Sequence, residues 1–536
     1  MPFEIREKDL LARIGKLETK TCTVETPLLF PVINPATQLI PPKRIREEFG
    51  FEALITNAYI LKTRFQNQPI ERDLQKLLDF DGAIMTDSGA YQILVYGDVQ
   101  TTPEEITRYQ EQIGSDIATI LDIPTGWKIS ESDARKTVKE TLSRAKQFFK
   151  IKTRDDILWV GPVQGGKYLN LVAYSAKEMS KLSFQIHALG SPTEVMERYR
   201  FDVLVDMIMT VKMNLPPDRP LHLFGAGHPF MFSLAVALGC DMFDSAAYAL
   251  YAKEGRYMTE MGTARLGELE YFPCTCPRCS KTTPKQIVEL SDREKEVFLA
   301  EHNLYVCAGE IRRIKQAIKD GRLWELVQQR AHSHPALYTA FKKLEKYEEF
   351  IEKHSPTFKN SGLFYFNHND LARPEILHYR KTLKERYTKP KKAKTLLLFP
   401  QTQSKPFSKS PKYKQIRKTL KKHASIIHTC FYAAPFGVIP IELDEVYPLS
   451  QHEIALPLDT ETIQRVANQV TDYIDRTNYK TVILVNNPRD WGKTIQNTVK
   501  KACKQKHVTL KILNNTKNLQ TLLETLEKPV HKQKSL

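Results

Sequence analysis

Ala83-Ile84-Met85-Thr86-Asp87-Ser88-Gly89-Ala90 is a short apolar run that stops abruptly on a carboxylate, a hydroxyl and a glycine. A brief apolar run without polar alternation suits a strand buried on both faces, as in a parallel sheet covered by helices. The pattern recurs in Ala53-Leu-Ile-Thr56, Asp116-Ile-Ala-Thr-Ile-Leu-Asp122, Ile157-Leu-Trp-Val-Gly161, Phe184-Gln-Ile-His187 and Leu221-His-Leu-Phe-Gly225, each closing in small or polar residues. Amphipathic stretches at 103–113, 131–150, 175–182, 193–212 and 229–238 fall between these runs and read as helices. Repeated strand and helix units over about 25–310 predict an α/β fold, a (β/α)8 TIM barrel; an open doubly wound sheet gives similar local patterns. In the barrel, the polar residues closing each strand line one mouth, which is where chemistry sits.

The rest of the chain is organised differently. Residues 311–387 read as long polar helices, and Tyr387-Thr-Lys-Pro-Lys-Lys-Ala-Lys394 reads as a linker. A second α/β unit follows, with strands at Thr395-Leu-Leu-Leu-Phe399, Ser425-Ile-Ile-His428, Thr481-Val-Ile-Leu-Val485 and Val508-Thr-Leu-Lys-Ile-Leu513, and helices at 460–476, 492–504 and 518–527. The tail His531-Lys-Gln-Lys-Ser-Leu536 reads as frayed. The expected domains are therefore a barrel over 1–345, a helical connector over 346–390 and a basic α/β domain over 391–536. A chain of 536 residues is too long for one ordinary core, which agrees with several domains.

Charge is unevenly placed. The chain carries a formal +17, and residues 391–536 hold 25 Lys and Arg against 11 Asp and Glu, so residues up to Pro390 contribute only +3. A Lys-rich surface can be merely solubilising, but its concentration in one domain favours a polyanion, with nucleic acid ahead of membrane. The N-terminus Met1-Pro-Phe-Glu-Ile-Arg-Glu-Lys-Asp9 lacks the apolar core of a secretory signal, and no run of about 18 apolar residues occurs. The expectation is a soluble cytoplasmic protein with no membrane partner.

Cys274-Thr-Cys276-Pro-Arg-Cys279, followed after 22 residues by His302, has the ligand types and spacing of a zinc site. Three sulfurs and one nitrogen complete a tetrahedron and leave no position for water, which describes one structural zinc per chain. Glu294-Lys-Glu-Val-Phe-Leu-Ala-Glu-His302 reads as the helix that delivers the fourth ligand. With only 8 Cys in the chain and the rest scattered, a disulfide framework is not expected.

Four polar clusters fall at strand ends: Thr86-Asp87-Ser88-Gly89-Ala90, Leu121-Asp122-Ile-Pro-Thr-Gly126, Gly161-Pro-Val-Gln164-Gly165-Gly166 and Met242-Phe243-Asp244-Ser245-Ala246. Each alone has a plain reading as a cap or turn. Together they place two or three carboxylates and an amide around one barrel mouth. One buried Asp can attack an electrophilic carbon while another moves a proton. An amide beside a carboxylate suits the mixed donor and acceptor edge of a purine. No Walker motif is present, which argues against NTP hydrolysis.

Asp87-Ser88-Gly89, Val163-Gln164-Gly165-Gly166, His222-Leu-Phe-Gly-Ala-Gly-His228-Pro, Phe243-Asp244-Ser-Ala-Ala-Tyr-Ala-Leu-Tyr-Ala252 and the Cys274, Cys276, Cys279, His302 set occur in the order found in the archaeal tRNA-guanine transglycosylase family, which residues 1–350 resemble. Ser333-His-Pro335 fits as well. The resemblance implies a zinc-containing TIM barrel that exchanges guanine at position 15 in the tRNA D-loop for 7-cyano-7-deazaguanine, a step toward archaeosine. Asp244 resembles the nucleophile that attacks C1′ of the ribose, and Asp87 the general acid/base; both are carried over as catalytic. Asp122 and Gln164 would bind the base edge, with Ser88, Gly165 and the segment Ala188, Leu189 and Gly190 completing the pocket. Its implied partners are tRNA, guanine and 7-cyano-7-deazaguanine. Homodimers, which zinc-bearing edges in this family often form, are the assembly it implies.

Full-length archaeal members commonly end in an RNA-binding PUA domain. The last 80 or so residues here lack the hairpins and glycines of such a barrel, so no PUA domain is expected; either a separate polypeptide supplies it or the basic α/β unit holds tRNA alone. Phe399-Pro400-Gln401-Thr-Gln-Ser-Lys405-Pro406-Phe407-Ser-Lys-Ser410-Pro411 and Ala434-Pro-Phe-Gly-Val-Ile-Pro-Ile-Glu-Leu443 are similar to parts of archaeosine synthase, the paralogue acting next, but Pro400-Gln401 stands where that enzyme has Pro-Cys. The Lys405 loop thus reads as a retained structural turn. A catalytically silent tRNA-binding subunit is the remaining alternative, and the intact Asp87, Asp122 and Asp244 argue against it.

Overall fold

The computed structural model describes residues 2–35, 37–65, 73–90, 101–515, 518, 519, 521 and 522. The expected tail at 531–536 and most of the helix expected at 518–527 lie outside the described residues. By internal contacts the chain divides into two compact units, Met1–Ser355 and Pro356–Leu536.

The first unit opens with an antiparallel sheet, β1 (Phe3–Asp9), β2 (Ala12–Glu18) and β3 (Thr23–Thr26). Eight parallel strands follow: β4 (Leu28–Ile33), β5 (Ala53–Asn57), β6 (Ala83–Asp87), β7 (Ile117–Thr119), β8 (Leu158–Val163), β9 (Ile186–Leu189), β10 (Leu221–Leu223) and β11 (Met242–Ser245). They run in sequence order and close when β11 pairs with β4, Met242 opposite Leu28 and Asp244 opposite Phe30. The fold is a (β/α)8 barrel, and closure excludes the open sheet. Strand β4 is not legible in the sequence because Pro31, which cannot donate to a ladder, interrupts its apolar run.

The barrel is filled by inward residues such as Phe30, Ile55, Met85, Ile117, Val160, Ile186 and Met242, and Phe3, Leu17 and Val24 of the N-terminal sheet join the same buried cluster. That sheet is latched to strand beginnings by polar bonds. The buried Arg13 guanidinium pairs with Asp241, donating from Nε to Oδ1 at 2.9 Å, and Asp116 Oδ1 accepts from the Thr21 amide at 3.0 Å. Polar plugging at this end leaves the strand C-terminal ends to form the functional mouth.

Local chemistry explains the helix boundaries. Helix Pro103–Ile113 starts with a capping box between Thr102 and Glu105, places Pro103 in its first turn, and stops at Gly114 in the left-handed conformation (φ 76). The stretch 193–212, read as one helix, is two, Thr193–Glu197 and Phe201–Lys212, because Tyr199 adopts φ 54 between them. Residues 311–387, read as helical throughout, also contain the short strand β14 (Leu363–Tyr365).

After β11 come helix Ala247–Lys253, a hairpin of β12 (Arg256–Thr259) and β13 (Gly262–Arg265), the cysteine loop, and the 28-residue helix Asp292–Lys319. The second unit holds a five-stranded sheet of order β17-β16-β15-β19-β20, from β15 (Thr395–Pro400), β16 (Ile427–Ala433), β17 (Gly437–Pro440), β19 (Thr481–Val485) and β20 (Thr509–Leu513), while β14 pairs with β18 (His452–Ile454). Strand β17 runs antiparallel to β16 and the other neighbours are parallel. Among the described residues no helix is long and apolar enough to cross a membrane.

Candidate active site and metal centre

Asp87 is the last residue of β6 and Asp244 the third of β11, so both emerge at the C-terminal mouth. Asp122 lies three residues beyond β7 and Gln164 directly after β8. The barrel brings these four, well separated in sequence, to one place. Their proximity shows in Asp87: burial, followed by the negative charges of Asp122 and Asp244, pushes its carboxyl up to about 7. Backbone amides of Gly89 and Ser88 oppose that rise, and Asn57 Nδ2 donates to Asp87 Oδ2 at 2.9 Å. Ser88 Oγ is buried without a hydrogen-bond partner among the described residues, at the rim of the same site.

Asp244 is fixed by two donors. His222 Nε2 approaches its Oδ1 at 2.8 Å and the Gly225 amide donates to the same oxygen at 2.9 Å. His222 is fully buried between Phe30 and Phe224, so its ring plane is set by packing. Gly225 has φ 64, and a Cβ there would lie 2.6 Å from Thr193 Oγ1.

Asp122 and Gln164 form the second half. Gln164 Nε2 donates to Asp122 Oδ2 at 2.5 Å, while Gln164 Oε1 accepts from the Thr125 amide at 3.0 Å and from Ser191 Oγ at 2.9 Å. These bonds fix which end of the amide faces the carboxylate. Burial raises the Asp122 carboxyl to about 6, opposed chiefly by the Gln164 hydrogen bond. Gly190 follows β9 with its amide bonded to the Val163 carbonyl at 2.9 Å, and a Cβ on it would fall 2.2 Å from Gln164 Nε2. Gly165 (φ 146) allows Val172 to approach its backbone, and Ala188 and Leu189 are buried on β9.

Sequence reasoning gave no role to Asn57, His222, Gly225, Thr125 or Ser191. Asn57 had a signal, since it is the polar residue closing its strand. Its Oδ1 caps the next helix through the Ile60 amide at 3.0 Å, leaving Nδ2 for Asp87. Nothing local in the sequence pairs His222 with Asp244; neighbouring parallel strands do, through the register His222 opposite Met242.

Cys274, Cys276, Cys279 and His302 form a cluster that could hold a metal ion, with one donor atom from each within 4.8 Å of the others. His302 Nε2 donates to the Met258 carbonyl at 2.8 Å, which turns Nδ1 toward Cys279 Sγ at 3.3 Å and Cys276 Sγ at 3.6 Å. A backbone-held imidazole facing three thiols is a donor set that fits a four-coordinate metal. Tyr257 stacks on the His302 ring with centroids 3.7 Å apart. Glu301, fully buried beside His302, pairs with Arg278 of the cysteine loop and with Arg44 at 2.7 Å. The loop, the long helix and helix Pro42–Glu47 are thus tied together around the cluster.

Barrel and mouth together define the class: a (β/α)8-barrel enzyme with carboxylates gathered at its strand ends and a Cys3His cluster that could hold a metal beyond its last strand. The chain belongs to the queuine tRNA-ribosyltransferase family, whose model matches residues 8–336. A second model, a domain of unknown function (DUF5591), matches residues 376–528. The tRNA-guanine(15) transglycosylase of Saccharolobus solfataricus is 44% identical over 494 residues, covering 90% of this chain and 96% of that protein. The protein of the same name from Methanocaldococcus jannaschii is 44% identical over 492 residues, 89% of this chain and 72% of the relative. That from Thermococcus kodakarensis is 46% identical over 414 residues, 77% and 69% of the two chains.

Proposed function

We propose that this enzyme is a tRNA-guanine(15) transglycosylase that replaces guanine in the D-loop with 7-cyano-7-deazaguanine through a covalent intermediate on Asp244. The observation that carries the reading is the unequal setting of the carboxylates: Asp244 held by two donors on one oxygen, and Asp87 raised to about 7. Such a difference separates a nucleophile from a proton carrier. Asp244 attacks C1′ of the ribose, the bond from C1′ to the guanine nitrogen breaks, and Asp87 delivers a proton to the leaving base. The incoming base then gives a proton to Asp87 and attacks C1′, and the ester to Asp244 breaks. Bond energy is kept in the ester, so no ATP is required.

Asp122 and Gln164 read the hydrogen-bonding edge of a base flipped out of RNA, with Ser88, Gly165 and the Ala188, Leu189, Gly190 segment shaping its pocket. Cys274, Cys276, Cys279 and His302 hold one structural zinc, which shapes the segment after β11 and takes no part in bond exchange. The domain assignment follows from this: catalysis over 1–345, a connector over 346–390 and RNA contact over 391–536. A homodimer, a separate PUA-domain polypeptide as partner and a cytoplasmic location belong to the same proposal.

The test is exchange of labelled guanine for 7-cyano-7-deazaguanine in unmodified archaeal tRNA with wild type and Asp244→Asn. Exchange that needs Asp244 supports the reading. Folded, zinc-loaded wild type that binds tRNA and performs no exchange, with or without a PUA-domain protein, overturns it.

A further inference from the structure

Helix Pro411–Lys422, in the domain of unknown function, carries Lys412, Lys414, Arg417, Lys418, Lys421 and Lys422 and no acidic residue. All six are exposed, while Tyr413, Ile416 and Leu420 are buried on the opposite stripe. Tyr413 packs on Phe431 and Phe399 at 5.4 and 5.8 Å, on one face of the five-stranded sheet. Alternation along β16 sends Cys430 and Tyr432 to the other face, where they meet Tyr473 of helix Thr460–Arg476 and Trp491. Helix Pro411–Lys422 therefore lies on the sheet face opposite helix Thr460–Arg476.

No carboxylate among the described residues pairs with any of the six cations, although Lys409, one turn earlier, pairs with Glu445 at 2.9 Å. Helix Glu131–Ile151 of the barrel handles its charges otherwise: Arg135 pairs with Glu131, Lys136 with Asp133 and Arg144 with Glu140. In helix Pro411–Lys422 the pairs Lys414 with Lys418, Arg417 with Lys421 and Lys418 with Lys422 stand four residues apart, where like charges destabilise a helix. Lys412 and Lys414 also sit in the first turn, against the helix dipole. A polyanion laid along the face would relieve this unfavourable arrangement.

We propose that the exposed face of helix Pro411–Lys422 docks the phosphate backbone of the tRNA substrate, a role that rests on the transglycosylase reading for the identity of the RNA. Lysine-rich, unpaired and hydrated, the face suits sequence-independent phosphate contact. Beyond Pro411 in its first turn it has no exposed apolar side chain to enter a bilayer, which separates it from an amphipathic membrane helix.

The experiment compares the full chain with its Lys414→Gln/Lys418→Gln/Lys421→Gln triple variant, and with a control in which the paired Arg135 and Lys136 become Gln. Affinity for an unmodified tRNA transcript is measured from 50 to 200 mM KCl, and exchange is measured at saturating tRNA. Removing up to three phosphate contacts makes the slope of log affinity against log salt shallower by about 2 to 3 and weakens binding by on the order of tenfold or more. Saturated exchange and the control stay near wild type. The corresponding Lys→Arg triple variant, which keeps the charge, retains the slope and excludes a folding effect. An unchanged slope in the Gln variant overturns the proposal, as does dependence on these lysines for binding phosphatidylserine vesicles but not tRNA. A changed slope in a chain with no exchange activity upholds the docking face and rejects the catalytic reading; exchange with an unchanged slope does the reverse.

Discussion

Asp87 holds its proton more tightly in the folded chain than an ordinary aspartate does, because its carboxyl is desolvated and lies near the negative charges of Asp122 and Asp244. Its folded pKa is about 7 and its unfolded value near the usual ~3.9, so the folded state binds the extra proton between those limits and stability falls as pH rises through them. Asp87→Asn is expected to leave the Tm unchanged near pH 4 and to raise it near pH 8, measured by calorimetry, while exchange is lost at both. A variant as unstable as wild type at pH 8 contradicts the assignment. For Asp244, replacement by Asn is expected to lower exchange by on the order of 10³-fold or more, with tRNA affinity within about threefold because phosphate contacts dominate it. His222→Gln keeps bulk but changes the donor geometry at Asp244, and up to about 10²-fold loss in kcat with unchanged base KM is the expected result. Gly190→Ala drives a methyl into the buried Gln164 amide, so the KM for free base should rise and the Tm should fall by a few degrees; normal base affinity would show that Gln164 does not read the base.

At the scale of elements, the metal cluster joins the cysteine loop to helix Asp292–Lys319, and Met258 of β12 holds His302. Elemental content of about one zinc per chain is expected, lost in His302→Ala, with a fall in Tm of roughly 5 °C or more for the barrel unit. Retention of zinc by a variant in which Cys276 and Cys279 are also replaced by Ala would show that the cluster is not the site. These ligands were legible because metal-ligand spacing is a local property. So were helix Pro103–Ile113, with its capping box, and most of the barrel strands, through their apolar runs. Strand β4 was obscured by Pro31, and the break at Tyr199 by the absence of any glycine or proline to mark it.

Across the whole molecule, Met1–Ser355 encloses the barrel core, and Pro356–Leu536 has its own core around Leu397, Phe431, Val466 and Ile483. Two calorimetric transitions are expected, with zinc removal lowering only that of the barrel unit; equal shifts of both would contradict independent cores. By itself the sequence determined the alternation of strands and helices, the Cys and His residues that cluster as a candidate metal site, the polar residues at strand ends and the basic character of residues 391–536, because periodicity, spacing and charge are carried by neighbouring residues. Only the tertiary structure decided that β11 closes on β4, that Asn57 meets Asp87 and His222 meets Asp244, and that three carboxylates crowd one mouth enough to lift a proton affinity. Those outcomes depend on strand register and burial between residues far apart in the chain, which no local pattern encodes.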